Sequence, residues 1–209
     1  MMHYLSQKEV HELEIKANQI RQSIIEMLVA AGSGHTAGPL DMADIFALLY
    51  FRVLRHDPKN PDWEDRDRLV LSAGHICPVL YETMAHAGYL PVDELLTLRK
   101  FGSRLQGHPH RSALPGLETT SGPLGSGLSQ AVGMAIAERM DNQYSSKYIY
   151  CVTGDGELNE GQIWEAAMLA GREKLHNLIV IVDRNGIQID GDTKDVMPLE
   201  SLRDKFESF

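Results

Sequence analysis

The run from Tyr148 to Asp190 constrains the fold more than any other stretch of the chain. Tyr148, Ile149, Tyr150, Cys151, Val152 and Thr153 are apolar or β-branched and halt at Gly154-Asp155-Gly156, the pattern of a buried strand ending in a loop. Helix-forming residues follow from Glu160 to Lys174, and a second apolar run, Leu178 to Val182, closes at Asp183-Arg184-Asn185-Gly186. Strand, helix and strand in this length make a βαβ crossover, so the two strands are expected to be parallel neighbours. Asp155 and Asn185 then leave the sheet at its carboxyl edge, where open α/β sheets bind ligands. Two oxygen donors there suit Mg²⁺, which takes one or two protein groups together with phosphate oxygens and water. Both residue types also make turns, and turn formation alone is the competing explanation.

At 209 residues the chain has room for one substantial α/β domain, and a single domain over 1–209 is expected. The net charge of -9 and the absence of clustered Lys and Arg exclude a nucleic-acid surface. Cys77 and Cys151 supply neither a disulfide framework nor metal-knuckle spacing, so they read as small buried apolar residues in a reducing compartment. The beginning of the chain lacks the apolar core of a signal peptide, and no apolar run approaches membrane-spanning length. A cytoplasmic protein without membrane contact is the expectation.

Ser6 and Glu9 have capping-box spacing, and Val10, Leu13, Ala17, Ile20, Ile24 and Leu28 continue as the apolar stripe of a long helix that runs out near Gly32-Ser33-Gly34. Asp41 to Val53 reads as a second helix, and Arg68 to Ser72 as a strand followed by Ala73-Gly74-His75. Pro78 suits the first turn of a helix to Ala87, and Pro91 opens a short helix through Leu98. Phe101 to Pro123 is a long loop rich in Gly, Pro, Ser and His, a kind of segment that usually has a functional reason. Gly125 to Met140 is a helix whose Ala131, Gly133, Ala135 and Ala137 would permit close packing. Leu199 to Phe209 is periodic, with Leu199, Leu202 and Phe206 on one side. The expected architecture is α/β: a doubly wound, mainly parallel sheet with helices on both faces.

The succession Gly154-Asp155-Gly156-Glu157-Leu158-Asn159-Glu160-Gly161-Gln162, then Asp183-Arg184-Asn185-Gly186-Ile187, resembles the thiamine diphosphate motif of transketolase. Ser33-Gly34-His35 with Gly38-Pro39-Leu40, Leu71-Ser72-Ala73-Gly74-His75, Gly107-His108-Pro109 and Gly122-Pro123-Leu124-Gly125 are similar to further motifs of that family in the same order. Thr36-Ala37 departs from the more usual Pro-Gly of the first histidine turn. The resemblance extends from about Ile20 to Leu202.

It implies the thiamine diphosphate-binding fold, with Asp155, Asn185 and the Ile187 carbonyl holding Mg²⁺, or Ca²⁺ or Mn²⁺ in its place. His75, Gly154, Gly156 and Glu157 would lie with Asn185 at the diphosphate, and Gly122, Pro123 and Leu124 along the aminopyrimidine and thiazolium path. Glycine suits a diphosphate because a side chain would block backbone N–H donors from the anion. His35 and His108 would face sugar hydroxyls, where imidazole donates, accepts or exchanges a proton near neutral pH. Glu160 would stand at a subunit interface near the cofactor, and Glu165 would have a weaker version of that role. His3, His11, His56, His86, His110 and His176 read as structural or exposed side chains.

The implied activity is two-carbon ketol transfer between sugar phosphates in the pentose phosphate pathway. The chain resembles only the diphosphate-binding half of transketolase and is expected to be incomplete at its C-terminal end. A C-terminal transketolase subunit supplying the pyrimidine-binding domain is the implied partner, in a heterotetramer built as a homodimer of heterodimers. A related thiamine diphosphate enzyme subunit, such as a deoxyxylulose-phosphate-synthase-like one, and a non-catalytic subunit keeping the fold are the alternatives. Two unrelated readings are weaker. Gly125-Ser126-Gly127 lacks the preceding strand and third glycine of a dinucleotide site, and His108 and His110 alternate in a loop instead of sharing a helix face for zinc.

Overall fold

A computed structural model describes residues 4–142, 144–189 and 191–209; His3 and Asp190, named above, lie outside the described residues. The chain divides into two compact units. The first comprises the chain up to Trp63, His75–Gly107 and Ala113–Gly116; the second comprises Glu64–Gly74, His108–Ser112 and Leu117–Phe209.

The first unit is helical. Helix α1, Gln7–Ala31, starts in the capping box its sequence announces, with the Glu9 N–H donating to Ser6 Oγ at 3.3 Å and the Ser6 N–H donating to Glu9 Oε2 at 2.8 Å. Ala17, Ile20, Ile24, Met27 and Leu28 form its buried face, and the helix stops at Gly32, whose φ of 65° is left-handed. The helix expected over Asp41 to Val53 differs in structure. It is replaced by α2, Ala37–Asp41, and α3, Ala43–Leu48, which runs into a π-helical turn over Leu49–Val53. Pro39 lies in the opening turn of α2, where its missing N–H is harmless, and Met42 at φ -78° and ψ 1° breaks the helical path before α3. Helix α4, Cys77–Ala87, carries Pro78 in its first turn and buries every side chain from Cys77 to Ala85. After Pro91 the segment Val92–Thr97 is a 3₁₀ helix.

The second unit holds the sheet. Strands β1, Arg68–Leu71, β2, Ile149–Gly154, and β3, Leu178–Asp183, lie in the order β1-β2-β3, all parallel. The register places Leu71 beside Val152 and Gly154 beside Asp183, so the three strand ends share one carboxyl edge. Helices α5, Ser126–Asp141, and α6, Gly161–Arg172, pack on each other, and Val70, Leu128, Ala131, Ala135, Cys151 and Ile163 form the core with them. Of the small residues in α5, Ala131 and Ala135 are buried, whereas Gly133 and Ala137 face outward and do not aid the packing. The close approach comes instead at Gly127, where a Cβ would stand 2.5 Å from the Ser72 Cβ. A two-stranded antiparallel ladder of β4, Ile187–Gln188, and β5, Gly191–Asp192, precedes α7, Thr193–Val196. Helix α8, Leu202–Glu207, lays Leu202 and Phe206 against the core beside Leu199, as its periodicity indicates. The protein is therefore α/β with a parallel sheet and packed helices.

Candidate functional site

Asp155 sits where β2 gives way to a 3₁₀ turn over Gly156–Asn159, and its side chain is only 1% exposed. A buried carboxylate must be met by donors. Oδ1 accepts from the Gly156 N–H at 2.8 Å, and Oδ2 accepts from the Gly186 N–H at 2.8 Å and from Arg184 Nη1 at 2.7 Å. The aspartate thus ties the end of β2 to the loop after β3, as the crossover requires. Arg184 also donates to Thr193 Oγ1 at 3.0 Å and pairs with Glu200, and the Glu200 and Asp155 carboxylates together raise its already high pKa. Asn185 is exposed; its Nδ2 donates to Asp183 Oδ2 at 3.0 Å and its Oδ1 accepts from the Ile187 N–H at 2.9 Å. Asp155, Asn185 and Ile187 are thus brought to one strand-end cluster.

Gly154 and Gly156 flank this carboxylate. The Gly154 N–H donates to Glu157 Oε2 at 3.1 Å, and a Cβ on Gly154 would find only the Ala73 Cβ, 4.0 Å away. Glu157 is turned inward: its Oε1 accepts from the Gly125 N–H at 2.5 Å and from the Ser72 hydroxyl. Burial raises its pKa, and the Ser72, Gly125 and Gly154 donors oppose that rise. The loop Gly122-Pro123-Leu124 lies before α5, and Gln162 Nε2 donates to the Leu124 carbonyl at 2.7 Å. Glu160, exposed at the head of α6, flanks the same loop, its Cβ standing 2.9 Å from a Cβ built on Gly125.

His108 reaches the end of β1 because residue 74 is a glycine: a Cβ there would stand 2.8 Å from Ser121 Oγ and 3.3 Å from the imidazole Cδ2. Ser121, which precedes the glycine loop, has a buried hydroxyl oxygen without a hydrogen-bond partner among the described residues. In the first unit, His35 and His75 form a pair with ring centroids 4.9 Å apart. His35 is exposed in its turn, His75 half-buried. His56, read as structural, bonds Tyr89 Oη and the Tyr50 carbonyl oxygen through its two ring nitrogens.

Arg184, Gln162 and Ser121 join the site without a sequence signal that assigns them a role. A basic residue flanked by Asp183 and Asn185 comes nearest to one, for Arg184; the other two depend on how loops converge. The residues fit a hard divalent cation and a diphosphate. The carboxylate is buried at the carboxyl edge, a positive group already lies against its Oδ2, and Ser121 offers an unused polar atom. Among the described residues no group of three or more His, Cys, Asp and Glu is clustered so that it could hold a metal ion.

Residues 13–209 match the family described as transketolase, thiamine diphosphate binding domain. The 6-deoxy-6-sulfo-D-fructose transketolase subunit SqwG of Clostridium sp. (strain MSTE9) is 45% identical over 98% of this chain and 74% of its own length. An apulose-4-phosphate transketolase subunit of Phocaeicola vulgatus is 42% identical over 96% of this chain and 70% of its own length. The transketolase structure from Leishmania mexicana superposes with a TM-score of 0.88 at 40% identity, covering 99% of this chain. The chain spans 31% of that longer protein. It belongs to the transketolase family and represents the thiamine diphosphate-binding part, which its relatives named as subunits share over most of their length.

Proposed function

We propose that this chain holds the diphosphate of thiamine diphosphate through a divalent cation, Mg²⁺ in the first instance, and that with a partner subunit it transfers a two-carbon ketol unit between sugar phosphates. The observation that carries the reading is the buried Asp155 at the carboxyl edge, met by a side-chain cation that a metal ion would displace. Asp155, Asn185 and the Ile187 carbonyl would hold the metal, a set of hard oxygen donors that leaves room for phosphate oxygens and water. Gly154, Gly156 and Asn185 would lie at the diphosphate together with His75. Gly122, Pro123 and Leu124 would line the cofactor's path.

Bound thiamine diphosphate supplies the nucleophilic carbon and the electron sink that cleavage of a ketose C–C bond demands. The chain's own task is orientation and proton handling. His35 and His108 would bond the sugar hydroxyls and take or return their protons, and replacing either should lower turnover more than cofactor affinity. Glu160, exposed beside the glycine loop, would face the partner. The relatives named for apulose-4-phosphate and for a sulfofructose support an anionic sugar as the substrate class, and their designation as subunits supports a separate partner chain. That partner would bring the pyrimidine-binding domain, in a homodimer of heterodimers. A cytoplasmic setting and a place in pentose phosphate metabolism complete the proposal; no helix among the described residues is long and apolar enough to cross a membrane.

The test is reconstitution. The purified chain with Mg²⁺, thiamine diphosphate, a ketose phosphate and an aldose phosphate should show no transfer until the partner subunit is added. Full turnover without the partner would overturn the split-site reading, and a reconstituted assembly without cofactor-dependent transfer would overturn the reaction.

A further inference from the structure

The glycine loop ends in one peptide group that two side chains grip from opposite sides. The Leu124 carbonyl and the Gly125 N–H belong to the same planar unit. Glu157 Oε1 accepts from that N–H at 2.5 Å, and Gln162 Nε2 donates to that carbonyl at 2.7 Å. Gly125 has φ 85°, in the left-handed region that favours glycine, and a Cβ there would strike Gln162 Cγ at 2.8 Å and Glu160 Cβ at 2.9 Å. A glycine flanking a peptide lets that peptide rotate by half a turn at little steric cost. Here the flipped form would direct the carbonyl at the Glu157 carboxylate and the N–H at the Gln162 amide donor, acceptor against acceptor and donor against donor. Glu157 is itself anchored, because it is buried and also accepts from the Ser72 hydroxyl and the Gly154 N–H.

We propose that Glu157 and Gln162 are positioning residues that lock the Leu124–Gly125 peptide in one orientation and so preset the loop Gly122–Gly125 before the cofactor arrives. This rests on the reading of that loop as a cofactor contact. Glu157 then acts through the loop instead of touching the cofactor, and its effect is one of preorganisation: a loop already in its bound form loses less conformational freedom on binding.

The polarity of the clamp supplies the test. In Gln162→Glu a carboxylate faces the Leu124 carbonyl, so the present orientation loses its donor and, with Glu157 opposing the flipped carbonyl, neither orientation is held, with little change in side-chain volume. In Glu157→Gln an amide donor can meet the flipped carbonyl. The double variant E157Q/Q162E reverses both ends and should hold the flipped form. With the enzyme assembled with its partner subunit, thiamine diphosphate is titrated at saturating Mg²⁺, and turnover is followed at each cofactor concentration. Gln162→Glu should weaken cofactor affinity by roughly tenfold, the scale of one charge-assisted hydrogen bond. Its turnover at saturating cofactor should recover, and its melting temperature should stay near wild type. The double variant should fold with still weaker affinity. Because Glu157→Gln removes the acceptor oxygen shared by the Gly125 N–H and the Ser72 hydroxyl and risks poor folding, Gln162→Glu decides alone if that protein is insoluble. Wild-type affinity in Gln162→Glu, or a loss confined to turnover at saturating cofactor, would overturn the clamp. Failure of the wild-type assembly to bind thiamine diphosphate would instead overturn the cofactor reading beneath it.

Discussion

Glu157 at the carboxyl edge of the sheet and Glu82 in the middle of α4 are both buried, 3% and 0% exposed, and in both burial raises the carboxyl pKa. Their surroundings differ. Glu157 meets three donors, the Ser72 hydroxyl and the Gly125 and Gly154 N–H groups. Among the described residues neither oxygen of Glu82 meets a partner at good geometry; the Ser23 hydroxyl offsets its shift only in part, and Glu26 adds to it. The reason lies in the backbone. Strand ends and loops leave N–H groups that need an acceptor, whereas inside a helix those donors are spent on carbonyls one turn back. His86, one turn further along α4, repeats the pattern: its Nε2 is buried without a partner among the described residues, and burial, with Lys16 nearby, lowers its pKa. A buried carboxylate therefore organises the sheet edge and is only tolerated in the helix.

Leucine at each position should separate the two most sharply. Glu157→Leu would strand three buried donors, each worth about 1–3 kcal/mol when left unpaired, and should destabilise the chain by about 3 kcal/mol or more in denaturant melts. Glu82→Leu removes an unpaired polar group from an apolar site and should be neutral or stabilising by about 1–2 kcal/mol. Equal losses at both sites would break the comparison.

The pH dependence is the next largest effect. The Glu82 carboxyl is raised from its ordinary 4.5 to about 8 in the folded chain. Between those values the folded state keeps a proton that the unfolded state has released, so stability is greatest at and below the lower value. It declines as pH rises and levels off above about 8. The slope is at most about 1.4 kcal/mol per pH unit. Glu82→Gln should flatten this decline while leaving cofactor affinity unchanged. An identical stability profile in wild type and Glu82→Gln would show that the group ionises freely. The smallest effect belongs to Glu173, whose Oε2 accepts from Arg139 Nη2 at 2.6 Å in a half-buried pair at the end of α6. A single ion pair still in reach of water contributes little, so Glu173→Ala should lower the melting temperature by a few degrees at most and leave cofactor affinity unchanged.

What the sequence made legible was local or periodic. The Ser6–Glu9 capping box, Pro78 in its first helical turn and the parallel pairing of Ile149–Gly154 with Leu178–Asp183 each follow from a few neighbouring residues or one repeated spacing. The break at Met42 was hidden because the apolar content runs unbroken through it. The ladder of Ile187–Gln188 with Gly191–Asp192 is too short for alternation to register. At the site, glycine-flanked Asp155 was readable as a strand-end carboxylate, but its pairing with Arg184 and the grip of Gln162 on the Leu124 carbonyl depend on loops meeting in space. The inward turn of Glu157 is of the same kind: its place in the motif suggests a cofactor contact, and only the positions of Ser72 and Gly125 reveal what its oxygens hold.

Under the proposed function, Asp155 binds the cofactor through a metal ion. Calorimetric titration of the assembled enzyme with thiamine diphosphate, with and without Mg²⁺, in wild type and Asp155→Ala, tests it most directly. Wild type should bind only weakly until Mg²⁺ is present, and Asp155→Ala should lose at least about a hundredfold in affinity, more than the loss typical of a residue that merely supports a ligand. Binding of equal strength with and without Mg²⁺, or unchanged affinity in Asp155→Ala, would contradict a metal-bridging role for Asp155.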